Sequence, residues 1–173
     1  MMEEERMNDA HTKIIDLPTL RHISEQAKSE KKKVVWTNGC YDILHAGHVR
    51  YLQSAKSCGD ILVVGVNSDR SIRAVKGEQR PIVNEKQRAI VLAALTCVDY
   101  IIIFDADSPV GIIQEIQPDV YAKGGDYTIE TINQQERRLV ESYGGDIALI
   151  PGVEGLSTTE IIGRIVKSYS NEE

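Results

Sequence analysis

The chain has 173 residues, with 20 Lys and Arg against 26 Asp and Glu and a net charge of −6. An apolar fraction of 42% beside 27% charged residues is that of one globular domain and excludes wholesale disorder. The longest apolar runs, residues 61–66 and 100–104, fall far short of the ~18 needed to span a membrane. The start, Met1-Met2-Glu3-Glu4-Glu5, is acidic where a signal peptide is basic, so the expected location is the cytoplasm. A negative balance disfavours nucleic acid as a partner. Cys40, Cys58 and Cys97 are widely spaced and form no C-x-x-C pair, which excludes a disulfide framework and a zinc knuckle.

Residues 1–13 are polar and uneven and read as a flexible tail, as do residues 169–173; the domain is expected to occupy 14–168. Leu20, Ile23 and Ala27 predict an amphipathic helix over 18–30. It ends in Lys31-Lys32-Lys33, which suits a helix C-terminus followed by a buried strand. Short, nearly continuous apolar runs then predict strands at 34–36, 61–66, 100–104, 120–122 and 147–150. Between and after them, helical patterns cover 48–57, 85–95, 109–116, 133–143 and 159–166. Asp107-Ser108-Pro109 reads as a cap with proline opening a helix, and Tyr143-Gly144-Gly145 as a helix stop. The alternation predicts an α/β, Rossmann-like fold: one domain with a parallel five-stranded sheet and helices on both faces.

Such sheets bind ligands beyond the carboxyl ends of their strands, so the strand-to-helix loops carry the functional information. After the first strand comes Thr37-Asn38-Gly39-Cys40-Tyr41-Asp42-Ile43-Leu44-His45-Ala46-Gly47-His48. His45 and His48 share one helix face, at an N-terminus whose free N–H groups favour an anion. Two His at this spacing could also begin a metal site, but the intervening Gly47 suits close approach of a phosphate better. After the second strand, the segment from Asn67 to Pro81 reads as a basic loop. Lys76-Gly77 and Arg80-Pro81 place cations beside a hinge and a stiff turn, and Arg88 follows on the next helix. The fourth strand ends in Lys123-Gly124-Gly125-Asp126-Tyr127, where Asp126 suits a hydroxyl, amine or amide partner rather than phosphate. Ser157-Thr158-Thr159-Glu160 reads as a capping box, and the same helix start offers a second anion site. Neither a Walker A motif nor G-x-G-x-x-G occurs, and no nucleophile–base arrangement stands out. The loops together are suited to holding a polyphosphate without a covalent nucleophile.

His45-Ala46-Gly47-His48 resembles the HxGH signature of the nucleotidylyltransferase superfamily, and Ser157-Thr158-Thr159 resembles its second, ISST-like signature. With Val66-Asn67-Ser68-Asp69, Lys76-Gly77-Glu78-Gln79-Arg80-Pro81 and Lys123-Gly124-Gly125-Asp126-Tyr127, the chain is similar to RfaE/HldE-type heptose 1-phosphate adenylyltransferases from about residue 33 to 167. Tyr41 stands where Phe is commoner. Residues 151–156 lack the arginine of cytidylyltransferase relatives, which weakens a cytidylyl-transfer reading.

This resemblance implies AMP transfer from ATP to D-glycero-D-manno-heptose 1-phosphate, giving ADP-heptose and pyrophosphate for lipopolysaccharide or surface-glycan precursors. The rival readings are another phosphate acceptor (glycerol 3-phosphate, FMN, phosphopantetheine) or a nucleotide-binding module without turnover. The resemblance assigns His45, His48, Lys76 and Arg88 to catalysis. It places nucleotide on Asn38, Gly39, Cys40, Tyr41, Gly47, Gly124, Asp126, Tyr127, Ser157, Thr158 and Thr159. The sugar phosphate falls to Asp42, Asn67, Lys76 and Arg80. Mg²⁺ is expected to bind through the nucleotide phosphates, with no protein metal site. Many relatives are fused to a sugar kinase; this sequence resembles the stand-alone transferase, which implies a separate upstream kinase and, as in relatives, a homodimer.

Overall fold

In the computed structural model, residues 9–125, 127–152 and 155–170 are described. The strands are β1 (Val34–Gly39), β2 (Ile61–Asn67), β3 (Tyr100–Phe104), β4 (Val120–Gly125) and β5 (Asp146–Pro151). The helices are α1 (Asp9–Thr12), α2 (Leu17–Ser29), α3 (Ala46–Lys56), α4 (Asp69–Lys76), α5 (Glu85–Ala93), α6 (Val110–Ile116), α7 (Gln134–Ser142) and α8 (Thr158–Tyr169). The strands form one sheet in the order β3-β2-β1-β4-β5, and every neighbouring pair is parallel. The order reverses at β1, so a crevice opens between the ends of β1 and β4.

Strand alternation divides the core. Val35, Leu62, Val64, Ile101 and Ala122 pack against Leu52 and Ala55 of α3 and Ala89 and Leu92 of α5. Val34, Trp36, Val63 and Tyr121 point the other way, onto Leu20 of α2, Ile113 of α6 and Val140 of α7. Burial on both faces explains why the strands read as continuous apolar runs. Carboxylates close the opposite end of the sheet: Asp119 accepts from the Val34 amide (2.8 Å), and Asp99 from the Leu62 amide (2.7 Å).

Three segments differ from their sequence reading. Residues 69–76, read as loop, are helical because the Ser68 side chain caps the Ser71 amide (3.0 Å) while Ser71 and Ile72 bury. At the start of α6 the Ser108 hydroxyl caps nothing; it donates instead to Glu136 of α7 (2.7 Å). Residues 9–13, which the sequence places in the tail, form α1 and an anchor: Lys13 Nζ donates to the carbonyls of Leu95 (3.2 Å) and Val98 (2.9 Å).

Candidate active site

A cleft of about 580 Å³ lies over the carboxyl ends of β1, β2, β4 and β5. Its lining joins the start of α3, the start of α8, one face of α4 and the end of β4. The chain therefore brings together four loops whose glycines, cations and hydroxyls are far apart in sequence.

His45 is the N-cap of α3, and its Nδ1 accepts from the Gly47 amide at 3.1 Å. That bond leaves the proton on Nε2, which is free to donate into the cleft. A Cβ at Gly47 would stand 2.9 Å from the His45 ring and 3.3 Å from Leu156, so this position requires glycine for the fold-back. The His45 and His48 rings lie 4.0 Å apart between centroids, and Tyr41 meets His48 edge-on at 5.4 Å. Burial holds the His45 imidazolium below its ordinary range. His48 is drawn down to about 4, first by burial and then by His45 and Lys76. Both rings are therefore neutral at pH 7, and each presents an N–H donor without a full charge.

The second wall is the start of α8. Ser157 caps the helix, its Oγ accepting from the Glu160 amide (3.1 Å) and donating to the Glu160 carboxylate (3.2 Å). Thr158 Oγ1 donates to the Ile43 carbonyl (3.4 Å), which ties this helix to the loop before His45. Two helix N-termini thus border one cleft, with Ser157, Thr158 and Thr159 on its lining. Beneath them, the Tyr51 hydroxyl bonds Thr37 Oγ1 (2.5 Å) and donates to the Ala122 carbonyl (3.0 Å), pinning α3 to β1 and β4. Gly124 makes room for that ring: a Cβ there would stand 2.3 Å from Tyr51 Cδ2.

The pattern of residues 36–164, from within β1 to within α8, matches the cytidylyltransferase-like family. The chain belongs to that family. This cytidylyltransferase-like chain is 51% identical over 165 residues to the bifunctional protein HldE of Geobacter metallireducens, covering 95% of this chain and 33% of that protein. It is 47% identical to the bifunctional protein HldE of Helicobacter acinonychis, again over 165 residues, covering 95% and 34%. It spans about a third of the length of these curated relatives. Among solved structures, the lipopolysaccharide core biosynthesis protein of Thermoplasma volcanium matches with a TM-score of 0.58 at 28% identity, over 70% of this chain and 97% of that one. A pantoate-beta-alanine ligase of Francisella tularensis shares the fold at a TM-score of 0.58 and 15% identity, over 92% of this chain and 79% of that one.

Within this cytidylyltransferase-like domain, most of the expected site residues line the cleft. Asn38, Gly39, Cys40 and Tyr41 come from the end of β1 and the turn after it. Asn67, Lys76 and Arg80 stand on the β2 side, and Gly124 and Tyr127 on the β4 side. Arg88 does not reach it. The residue is 2% exposed, and its guanidinium donates to the carbonyls of Val83 (2.9 Å), Cys40 (2.5 Å) and Asn67 (2.8 Å) and to Asp69 (2.8 Å). It holds the ends of β1 and β2 together from behind, rather than meeting a leaving group.

Asp42 is also turned inward. Its carboxylate accepts from Arg80 Nε (2.5 Å), the Ile82 amide (2.8 Å) and the Val83 amide (2.8 Å). Burial opposes its ionisation, but the Val83 and Ile82 amides and Arg80 outweigh that and hold the carboxyl below its usual range. Asp42 thus fixes the Arg80 loop and has little capacity left for sugar phosphate. Asp126 lies outside the described residues.

The cleft residues not picked out as site residues from sequence include Lys123, quoted only within its glycine motif, and Glu136, an ordinary helical glutamate. Lys123 Nζ donates to Asn38 Oδ1 (3.1 Å) and lies 3.9 Å from Glu136 Oε2. Burial pulls the Lys123 pKa down while Glu136 pulls it up. Only the pairing of β4 with α7 could reveal them, since no spacing relates residues 123 and 136.

Proposed function

We propose that this chain transfers the AMP group of ATP to D-glycero-D-manno-heptose 1-phosphate, releasing pyrophosphate and forming ADP-heptose, a surface-glycan precursor. The observation that carries this reading is the pair of neutral His donors at the N-terminus of α3, sharing one cleft with the N-terminus of α8. Similarity to HldE proteins along 95% of the chain supports the choice of acceptor.

The acceptor phosphate is already anionic, so its oxygen needs no base to attack the α-phosphorus. The new oxygen–phosphorus bond forms as the bond to the β-phosphate oxygen breaks, and the electron pair leaves with pyrophosphate. Repulsion and growing charge dominate the barrier, so fixed donors are the main catalytic resource. His45 Nε2–H and the His48 N–H meet the triphosphate. Ser157, Thr158 and the amides opening α8 hold its β and γ phosphates. Lys76 stands exposed at the end of α4 beside Gly77, whose φ is +91°. It reaches across to neutralise the phosphates between the two substrates, and Arg80 holds the acceptor phosphate. No three His, Cys, Asp or Glu side chains converge among the described residues. The donor set fits Mg²⁺ carried on the nucleotide's own oxygens, where it would offset phosphate charge.

The chain works as a homodimer in this reading. Among the described residues of α8 none is buried, and Ile165, Val166 and Tyr169 are 50%, 57% and 72% exposed. Antiparallel pairing of two copies about the helix midpoint sets Ile162 opposite Ile165, Ile161 opposite Val166 and Glu160 opposite Lys167, as a two-fold contact requires. In this reading the reaction runs in the cytoplasm, on a sugar phosphate that a kinase step supplies. No described helix is long and apolar enough to cross a membrane.

The test is pyrophosphate release with Mg²⁺, pairing each nucleoside triphosphate with heptose 1-phosphate, glycerol 3-phosphate, FMN and phosphopantetheine. Release with ATP and heptose 1-phosphate alone is the expected result. Release with CTP and glycerol 3-phosphate instead, or with no pair, overturns the proposal.

A further inference from the structure

The cleft has two chemically different lobes, on opposite faces of the sheet. His45, His48 and the start of α8 lie on the face covered by α3. Lys123 lies two residues beyond Tyr121 on β4, and Asn38 two beyond Trp36 on β1, so both point to the face covered by α6 and α7. There they meet Glu136 and Asn133 of the α7 region, with Asp107 from the loop before α6, and all five line the cleft.

A donor and acceptor count shows what this lobe can hold. The Lys123 ammonium has three N–H groups. One goes to Asn38 Oδ1 at 3.1 Å, and Glu136 at 3.9 Å is beyond hydrogen-bond reach. The Glu136 carboxylate, 3% exposed as a residue, accepts from Ser108 Oγ (2.7 Å) and from the Tyr121 hydroxyl, and keeps spare lone pairs. Asn133 uses its side-chain oxygen on the Gln135 (3.0 Å) and Glu136 (3.2 Å) amides, which leaves its NH₂ group for the cleft. The lobe therefore presents donors and acceptors side by side. A phosphate only accepts, and Glu136 and Asp107 would repel it. A run of vicinal hydroxyls both donates and accepts, and matches the set.

We propose that Lys123 and Glu136, with Asn38 and Asn133, form the subsite that grips the hydroxyl-rich end of the acceptor and so selects a sugar phosphate over a simpler phosphate. Asn38, which the sequence resemblance assigns to nucleotide, then belongs to the acceptor side. This rests on the adenylyltransferase reading above. Vicinal hydroxyls also occur on the nucleotide ribose. The lobe is assigned to the acceptor because the lining beyond the triphosphate donors, at Pro151, Gly152 and Leu156, offers the nucleoside a separate wall.

Lys123→Met and Glu136→Gln test it by initial rates and by equilibrium titration with heptose 1-phosphate and with ATP separately. The acceptor KM and Kd are expected to rise about tenfold or more in each variant, because the lost partner strands buried polar groups, while the ATP values move less than about threefold. Discrimination between heptose 1-phosphate and glycerol 3-phosphate should shrink in parallel. Should Lys123→Met fail to fold, the near-isosteric Glu136→Gln carries the test alone. An ATP KM that rises in place of the acceptor's assigns the lobe to ribose and overturns the proposal, as does an unmoved acceptor KM in folded variants. Wild-type protein that neither binds nor turns over heptose 1-phosphate removes the adenylyltransferase reading itself, a different result from wild-type turnover with unaffected variants.

Discussion

Arg88→Met replaces a buried guanidinium by an apolar side chain of similar length and asks whether that arginine serves the fold or the reaction. In the wild type it satisfies three backbone carbonyls and the Asp69 carboxylate from a position 2% exposed. Removing one partner of a buried ion pair costs about 3–5 kcal/mol. Asp69 retains some solvent contact, its side chain being 21% exposed, which places its share at the low end. The stranded carbonyls add about 1–3 kcal/mol, partly recovered by water. A net loss of about 4 kcal/mol is a large part of the ~5–15 kcal/mol available to a domain, and lowers Tm by roughly 8–16 °C. Urea unfolding followed by circular dichroism measures it, with an unchanged m-value expected. The folded fraction at 15 °C should turn over within about tenfold of wild type, since Arg88 acts through the backbone of Cys40 and Asn67. Stability within about 1 kcal/mol of wild type, combined with a rate loss of ~10²–10³, would refute this account and make Arg88 a phosphate ligand.

His48→Ala should lower kcat by about 10²–10³ with both KM values little changed, as expected for a donor that works in the transition state; wild-type kcat in steady-state pyrophosphate release excludes that role. The same ring makes stability pH-dependent. Unfolded His48 binds a proton near pH 6.5 and folded His48 only near 4, so its contribution is complete above pH 6.5 and is lost as the pH falls from 6.5 to 4. Allowing for the ring's partial solvent contact, that loss is about 1–2 kcal/mol; urea midpoints at pH 7.5 and 4.5 should converge in His48→Asn, and parallel slopes contradict the assignment. Gly124→Ala drives a methyl into the Tyr51 ring at 2.3 Å while both ends of that tyrosine are pinned, and should cost about 1–3 kcal/mol in the urea midpoint. A fully stable variant would show that the ring is free to move. Ile165→Glu should convert a dimer to a monomer in light scattering, and a wild type that is already monomeric removes the α8 interface.

Much of the fold is legible in the residues themselves. The apolar runs at 61–66 and 100–104 have no partner but a doubly covered sheet, and the helices between them leave only parallel crossovers. The half of the cleft proposed to bind the triphosphate is legible for the same local reason. His45, Gly47 and His48 fall within one helical turn, and Ser157 to Glu160 within another, so short-range spacing already places their donors together. What only the tertiary structure decides is where each remaining polar side chain is directed. Arg88 and Asp42 have the residue types of a phosphate and sugar site, yet burial and backbone partners contributed by distant loops consume their hydrogen-bonding capacity. Conversely Lys123 and Glu136 carry no local signature. They meet because strand parity turns Lys123 to the α7 face, where Glu136 lies, and parity becomes meaningful only once β4 is paired beside β1.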